Sequence, residues 1–294
     1  MAEITPVIDL SHLNNEELMR AEREIAHRHL NKFPYLIVFW GLANTAVWLS
    51  LFPLVMMDIV PLWAGFIIAT ANIMLSYLPS HDAQHDIIAR PGQTLRWLNE
   101  FVGHWSLIPL VLPFRIARAT HMEHHKHANN PDLDPDYGTH APNARAALIN
   151  SIVTRQPGSE GGLKSYGDVM VRLGLEKQLL DGLIANLTFY GTLTAMAWTG
   201  FALEAALLWW LPRHIAFTYI IFYLSWAPHH PAETTGRYKD TRGWRSRFGN
   251  IGSMGMQYHI IHHLHPRIPL NRTPRAYWEM RDILIARDCK IDNL

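Results

Sequence analysis

The sequence predicts an all-α integral membrane protein in which four transmembrane helices form two hairpins below a cytosolic helical cap. Three observations predict this fold class. Four apolar stretches are each long enough to cross a bilayer, which takes about 20 residues. Basic side chains lie on only one side of these stretches, and three histidine clusters lie at their ends on that same side.

The four predicted spans cover about residues 36–57, 59–78, 179–203 and 205–226. A tight turn around Asp58 and Pro61 joins the first two, and Glu204 joins the last two, so each pair forms an antiparallel hairpin. Neither turn carries Lys or Arg. The opposite ends carry many basic residues, among them Arg28, Lys32, Arg90, Arg118 and Arg237. The positive-inside rule therefore places both termini and all three histidine clusters on the cytosolic side.

The rest of the chain is predicted to belong to the same single domain, residues 1–294. Residues 1–32 are polar and predict a cytosolic amphipathic helix that Asn14 or Asn15 caps. A fifth apolar stretch, residues 101–114, is short and interrupted by prolines, so it predicts a re-entrant or interfacial segment. Residues 127–178 are rich in turn residues and predict mainly loop.

Composition excludes several classes of protein. Hydrophobic residues make up 49% and charged residues 17%, and the net charge of +1 does not indicate nucleic-acid binding. The one cysteine, Cys289, can form neither an internal disulfide nor a CxxC zinc or redox motif.

The histidine clusters predict a metal site. His81 and His85 form the first, and the other two share the pattern HxxHH: His121, His124 and His125, then His259, His262 and His263. Spacings of three or four residues place side chains on one face of a helix. Eight imidazoles are too many for one tetrahedral zinc, which takes four ligands, so they predict two metal ions. Imidazole-rich sites suit redox-active iron.

Neighbouring residues extend this prediction. His229 and His230 follow the fourth span, and one of them is a candidate ninth ligand, with His229 favoured. Metal-bound histidines usually hold their second ring nitrogen against a carboxylate or carbonyl. The nearby candidates for that role are Asp82, Asp86, Glu123, His127, Asp132, Asp134 and Asp136. His104, His140 and His265 are predicted to make local hydrogen bonds only.

The order HDAQH, HMEHH and HIIHH around two hairpins resembles the membrane fatty acid desaturase superfamily, whose pattern is HxxxH, HxxHH, HxxHH. The resemblance covers roughly residues 36–269. It implies a four-helix stem and a cap with two irons bound by the eight histidines of the three clusters. His229 lies where the family places a further histidine. Ser225 replaces an asparagine ligand of some members, which implies a water ligand there.

The resemblance also implies a function. The chain looks like the compact bacterial branch, which includes acyl-lipid desaturases and carotenoid hydroxylases. It implies O2-dependent desaturation of the acyl chain of a fatty acid or lipid in the bacterial inner membrane, with carotenoid or other lipid C–H hydroxylation as the alternative. The sequence has no HPGG-like haem motif, so a separate electron donor, such as a ferredoxin, is expected.

A basic segment near the cap is a candidate docking surface for that donor. The segment contains Arg237, Lys239, Arg242, Arg245 and Arg247. These side chains either dock an acidic protein or contact anionic lipid head groups.

Two other classes of function are less well supported. A histidine-rich metal transporter would need ionisable residues at mid-span, whereas Asp181 and Glu204 lie near span ends. A zinc-dependent hydrolase would use fewer histidines and add an acid/base glutamate.

Overall fold

The computed structural model describes residues 10, 12–30, 32–156, 159 and 163–291. These residues are mainly helical. The sheet found within them has two short parallel strands, β1 (Arg242–Gly243) and β2 (Lys290–Ile291).

The helices that position the candidate site are numbered in chain order. Two of the numbers each cover several shorter helical pieces that follow one another directly. They are α1 Asn15–His29, α2 Tyr35–Met56, α3 Leu62–Gln84, α4 Arg96–Leu107, α5 Phe114–His127, α6 Ala144–Val153, α7 Leu163–Arg172, α8 Leu179–Trp198, α9 Ala202–His229, α10 Gly249–Gly252, α11 His259–Leu264 and α12 Thr273–Ala286. Helix α3 has a break at Ser76, and α9 contains two π-helical turns, at Ala206–Trp210 and Ile221–Trp226.

Three helices of the described chain are long and apolar enough to cross a membrane: α2, α3 and α9. They correspond to the first, second and fourth predicted spans, and they indicate a membrane protein. The third predicted span forms α8, a 20-residue helix that is not one of these three. Asp181, Asn186 and three threonines interrupt its apolar run. The third predicted span therefore stays a prediction as a membrane crossing.

Close packing joins the two hairpins. The indole Nε1 of Trp48 in α2 donates a hydrogen bond to the carbonyl of Leu208 in α9 at 3.0 Å. A Cβ atom on Gly65 of α3 would lie 2.8 Å from a methyl group of Val55 and 2.9 Å from one of Leu208. Only glycine fits here without movement of its neighbours, so α2, α3 and α9 are held in contact at this point.

The predicted re-entrant stretch forms two helices joined by a turn. Helix α4 ends at Leu107, residues 108–113 reverse the chain, and α5 returns toward the histidines. Trp209 Nε1 donates to the carbonyl of Pro109 at 2.9 Å, and Arg213 Nε donates to that of Leu110 at 2.8 Å. These donors satisfy carbonyl groups of the turn, as a loop in an apolar environment requires.

The prediction that the spans contain few ionisable residues away from their ends overlooks two in α9. Arg213 and His214 lie well inside this helix. The Arg213 guanidinium carbon lies 5.2 Å from the ring centre of Phe189 and 4.8 Å from that of Phe217. The Leu110 carbonyl and these two rings bind the Arg213 cation within the protein. The position of Arg213 inside the helix therefore does not indicate a transport path.

The prediction that residues 127–178 are mainly loop is also wrong in part. Helices α6 and α7 lie in this region. The Asn143 side chain caps α6 by accepting a hydrogen bond from the Ala146 N–H at 3.0 Å. The apolar run of α6 is only ten residues long and follows a turn-rich segment, which hides it in the sequence.

The N-terminal helix agrees with its prediction. Asn14 caps α1, and Glu17 completes a capping box. Glu22 of α1 is buried and joins this helix to the loop after α9 and to the end of α11. Its carboxylate accepts hydrogen bonds from Arg237 at 2.9 Å and Tyr238 at 2.8 Å, and it lies 2.9 Å from His265 Nε2.

We expect Glu22→Gln to destabilise the protein at pH 7 by about 2 kcal/mol. Burial raises the pKa of Glu22, but His265, Tyr238 and Arg237 outweigh it and lower the pKa from 4.5 to about 2. The carboxylate therefore stabilises the fold above pH 4.5, and this stabilisation is lost as the pH falls toward about 2. Thermal unfolding in detergent at several pH values measures the difference.

The exposed Glu24 of the same helix is the matched control, since Glu24→Gln should leave the stability unchanged. Equal melting temperatures for Glu22→Gln and the unmodified chain at pH 7 would contradict the assignment.

Candidate metal centre

Four helix ends bring the predicted ligands together. His81 lies in the last turn of α3, and His85 follows directly after it. The second cluster occupies the last turns of α5, and the third forms most of the short helix α11. His229 is the last residue of α9. Because each cluster repeats at three or four residues, its side chains leave one helix face and point toward the same space.

The first group of candidate ligands draws on all three clusters. It contains His81, His85, His121 and His262, and one ligand atom of each lies within 4.8 Å of those of the others. The Nε2 atoms of His85 and His121 are 3.0 Å apart. The ring centres of His81 and His262 are 4.2 Å apart. Four imidazoles at this separation match the ligand number of one metal ion.

The second group contains His124, His229, His259 and His263, again within 4.8 Å of one another. The Nε2 atoms of His124 and His229 are 3.1 Å apart. His230, the sequence alternative to His229, is in neither group, and its ring lies 4.8 Å from that of Trp226. The geometry thus favours His229 over His230 as the ninth candidate.

His125 lies between the two groups. Its Nε2 is 3.2 Å from Nε2 of His121 and 2.8 Å from Nε2 of His262. Its ring centre is 4.2 Å from that of His263 in the other group. The structure therefore brings all nine predicted histidines into one cluster, while metal ligation by each of them stays a prediction.

The cluster has the donor set and the unmet bonding capacity that a metal site needs. Both ring nitrogens of His81 and of His259, and Nε2 of His263, are buried without a hydrogen-bond partner. An unpaired buried polar group costs about 1–3 kcal/mol, so this arrangement is costly unless something binds these atoms. Metal ions coordinated by the imidazoles would remove that cost.

Six of the nine imidazoles are also in the protonation state that binds metal. Burial lowers their pKa values far below 6.5, and the surrounding imidazoles lower them further. At His85, Arg118 and Arg267 add to this effect. This holds for His85, His121, His125, His259, His262 and His263. They are therefore neutral at pH 7, with a lone pair available for a metal.

Two of the candidate ligands have their second ring nitrogen fixed. Asp134 accepts a hydrogen bond from His124 Nδ1 at 2.8 Å, and the Asp240 carbonyl accepts one from His229 Nδ1 at 2.9 Å. Burial lowers the pKa of His124, but the Asp134 carboxylate outweighs this and raises the pKa to about 9. Both contacts leave Nε2 facing the other imidazoles, as in known histidine metal sites.

The other predicted partners lie farther from the ligands. Asp136 is 4.0 Å from His124 Nδ1, and Asp82 is 3.8 Å from His81 Nδ1. The remaining three carboxylates make no described contact with a cluster histidine.

Of these three, Asp86 pairs with Arg96 and Arg118, Glu123 pairs with Arg172, and Asp132 lies in the exposed turn after α5. His127 lies 3.6 Å from Glu123. His104 and His140 contact the rings of Phe114 and Tyr137.

Sequence reasoning missed Asn129 and Asp240. The Asn129 backbone N–H donates to Asp134 Oδ2 at 2.8 Å, and its side chain donates to the carbonyls of Thr234 and Asp240, both at 2.8 Å. Asn129 thus joins the partner of His124 to the partner of His229. Its φ of 66° lies in the left-handed region, which asparagine tolerates. The run NNPD after the second cluster is the one sequence signal for it.

Comparison with known proteins defines the family. A family model described as "Fatty acid desaturase" matches residues 57–291. The chain therefore belongs to the fatty acid desaturase family. The resemblance inferred from the three histidine motifs is confirmed.

Individual relatives include both desaturases and a carotenoid enzyme. A beta-carotene ketolase from Paracoccus sp. (strain PC1) is 28% identical over 210 residues, which are 68% of this chain and 72% of the ketolase. An sn-1 acyl-lipid omega-3 desaturase (ferredoxin) from Nostoc sp. (strain 36) is 23% identical over 210 residues, or 64% of this chain and 55% of that protein.

An sn-1 oleoyl-lipid 12-desaturase from Anabaena variabilis is 40% identical, but over only 58 residues, or 20% of this chain and 15% of that protein. The matched region is thus less than two thirds of the length of either desaturase.

Proposed function

We propose that the chain is an O2-dependent di-iron oxidoreductase that acts on a lipid within the membrane. The observation that carries this proposal is the pair of four-histidine groups with His125 between them. Two groups of four imidazoles match two metal ions better than one, and imidazole ligands suit iron. Membership in the fatty acid desaturase family supports both the metal and the class of substrate.

Two irons held by these histidines would supply O2 activation strong enough to break an unactivated C–H bond. Desaturation of a –CH2–CH2– unit then consumes one O2, two electrons and two protons and releases two waters. The side chains of this protein supply position and exclusion of water. Asp134 orients His124, and the fully buried Ile260 and Ile261 stand between the ligands of α11 and exclude solvent.

Acyl-chain desaturation is the first candidate reaction. Two of the three relatives described above are acyl-lipid desaturases, and both named substrates are sn-1 acyl chains of lipids. Helices α2, α3 and α9 supply an apolar surface along which the acyl chain of a membrane lipid can lie. The acyl chain of a membrane lipid is accordingly the substrate class that we assign to this protein.

Carotenoid oxidation is the second candidate. The match to the Paracoccus beta-carotene ketolase covers 72% of that protein, a larger share than either desaturase match. Hydroxylation or further oxidation of a carotenoid or other lipid would use the same histidines. The position of the substrate carbon relative to the metals would select between the two outcomes.

The electrons come from a separate protein in this proposal. The Nostoc relative carries ferredoxin in its name, which supports a ferredoxin-like donor. The basic segment predicted to dock it is partly engaged within the protein: Arg237 binds Glu22, and Lys239 binds Asp288 at 2.6 Å. Arg245 and Arg247 are exposed and stay available to an acidic donor. We place the cap and both termini on the cytosolic side of the bacterial inner membrane, following the positive-inside rule.

Lipid mass spectrometry tests this proposal. A host that makes carotenoids and expresses this chain with a ferredoxin system should accumulate a lipid lighter by two hydrogens than its precursor. A product heavier by one oxygen would assign the reaction to the second candidate, and the lipid that carries the oxygen would identify the substrate. Unchanged lipids in cells that contain the iron-loaded protein would contradict both candidates.

A further inference from the structure

A cavity of about 300 Å³ opens beside the first histidine cluster. Three separate segments line it: the chain just before α2, the loop between α3 and α4, and the loop after α11. Its charged lining residues are Lys32, Asp86, Arg90 and Arg267. Asp86 directly follows the candidate ligand His85, so the cavity borders the metal centre.

The cavity is positively charged. Asp86 is the acidic residue among those that line it, and Arg96 and Arg118 bind this carboxylate at 2.5 and 2.8 Å. Because two arginines already bind the Asp86 carboxylate, it does not neutralise the cations that line the cavity. Neither Lys32 nor Arg267 forms an ion pair with any residue in the described ranges, and both are exposed. Lys32 and Arg267 together define a site for an anion.

Large apolar side chains mark this cavity as lying at the membrane surface. Helix α2, one of the three helices able to cross a membrane, begins three residues after Lys32. Its first turns expose Tyr35 and Phe39, and α4 exposes Trp97 beside the loop that lines the cavity. Exposed aromatic residues of this kind are typical of the interface, where the phosphates of lipids also lie. Basic pockets at that level bind anionic head groups.

We propose that this cavity binds the phosphate of an anionic glycerophospholipid, and that this lipid carries the acyl chain presented to the metal centre. The proposal rests on the proposed function for the role of the lipid as substrate. Arg267 and Lys32 contact the phosphate from two sides, and the acyl chains extend along the apolar surface of α2 and α4. A head group held next to His85 fixes how far along its acyl chain the reaction occurs.

The dimensions of the cavity favour a head group over a protein partner. A protein donor that docks specifically covers about 800 Å² of surface on each partner. A concave site of this volume instead fits one phosphate and the glycerol attached to it. An acidic electron donor is therefore the competing occupant that the test must separate.

Lipid titration of the full-length protein in detergent, followed by native mass spectrometry, tests the site. The probes are phosphatidylglycerol, phosphatidylcholine and inorganic phosphate. The variant is Lys32→Gln combined with Arg267→Gln. Its matched control is Arg20→Gln combined with Arg23→Gln, which removes two exposed cations from α1.

We expect the unmodified protein and the control to prefer phosphatidylglycerol over phosphatidylcholine. The Lys32/Arg267 variant should bind phosphatidylglycerol about thirtyfold more weakly, the loss expected for two cations near a lipid surface. Inorganic phosphate should compete only weakly, because it lacks the apolar chains. Equal binding by both double variants, or displacement by inorganic phosphate at the same concentration as lipid, would overturn the proposal.

Two further readouts separate this proposal from the proposed function. If the Lys32/Arg267 variant binds lipid normally but accepts electrons from ferredoxin more slowly, the surface is a donor site and the lipid proposal is wrong. If the variant loses lipid binding while the unmodified chain oxidises no lipid, the head-group site stands and the proposed function fails. Normal lipid oxidation and unchanged product positions in this variant would refute the positioning role of the site.

Discussion

His124→Ala is expected to abolish lipid oxidation, with a loss of more than about 100-fold, and to remove at least one of two bound irons. His124 belongs to the second four-histidine group, and its Nε2 lies 3.1 Å from that of His229. Its loss leaves three imidazoles in that group and leaves Asp134 buried without its partner. Iron content and product formation, measured on the same purified sample, test this expectation.

His127→Ala is the matched control, because His127 lies one turn away on α5 and contacts Glu123 rather than the cluster. It should keep full iron content and most of the activity. Both variants should insert into the membrane in similar amounts, since neither side chain contributes to the apolar stem. Full activity in His124→Ala would refute the assignment of this residue as a ligand.

Asp134→Asn is expected to weaken iron binding and activity by about tenfold to hundredfold, the usual effect of removing a partner of a metal-bound histidine. Asp134 is buried and accepts the hydrogen bond that holds His124 Nδ1. An amide at this position has no charge and can present its NH2 group to the ring, so the orientation of His124 is no longer fixed. Iron titration of the metal-free protein measures the loss.

The neighbouring Asp132→Asn provides the comparison for this variant. Asp132 lies in the same turn but is exposed and makes no described contact with a cluster histidine. It should bind iron as the unmodified protein does. A positioning role for Asp134 predicts that Asp134→Glu restores part of the iron affinity. Identical iron affinities for Asp134→Asn and Asp132→Asn would show that the Asp134 contact does not matter for the metal centre.

The sequence could predict that the three histidine motifs lie together because its information is local. Spacings such as His81 to His85 and His121 to His125 place side chains on one helix face, whatever the rest of the fold does. Apolar run length then located α2, α3 and α9, and the charge distribution placed the clusters at one end of them. These local rules were enough to predict that the eight histidines of the three motifs lie in one place.

Features that depend on tertiary contacts could not be predicted in this way. His229 was only favoured over its neighbour His230, and the packing of His230 against Trp226 is what separates the two in the structure. Asp132, Asp134 and Asp136 alternate in one turn, and the backbone there decides that Asp134 faces His124. The partner of Arg213 could not be predicted because it is the Leu110 carbonyl, which lies 103 residues away in the chain.

Metal analysis of the purified full-length chain tests the central claim most directly, because the claim is that two four-histidine groups hold two irons. The protein, made in iron-supplied cells and isolated in detergent, should contain two iron atoms per chain. His124→Ala should contain one or none, while His127→Ala should retain both. A single zinc per chain, or iron content that does not change in His124→Ala, would contradict the account.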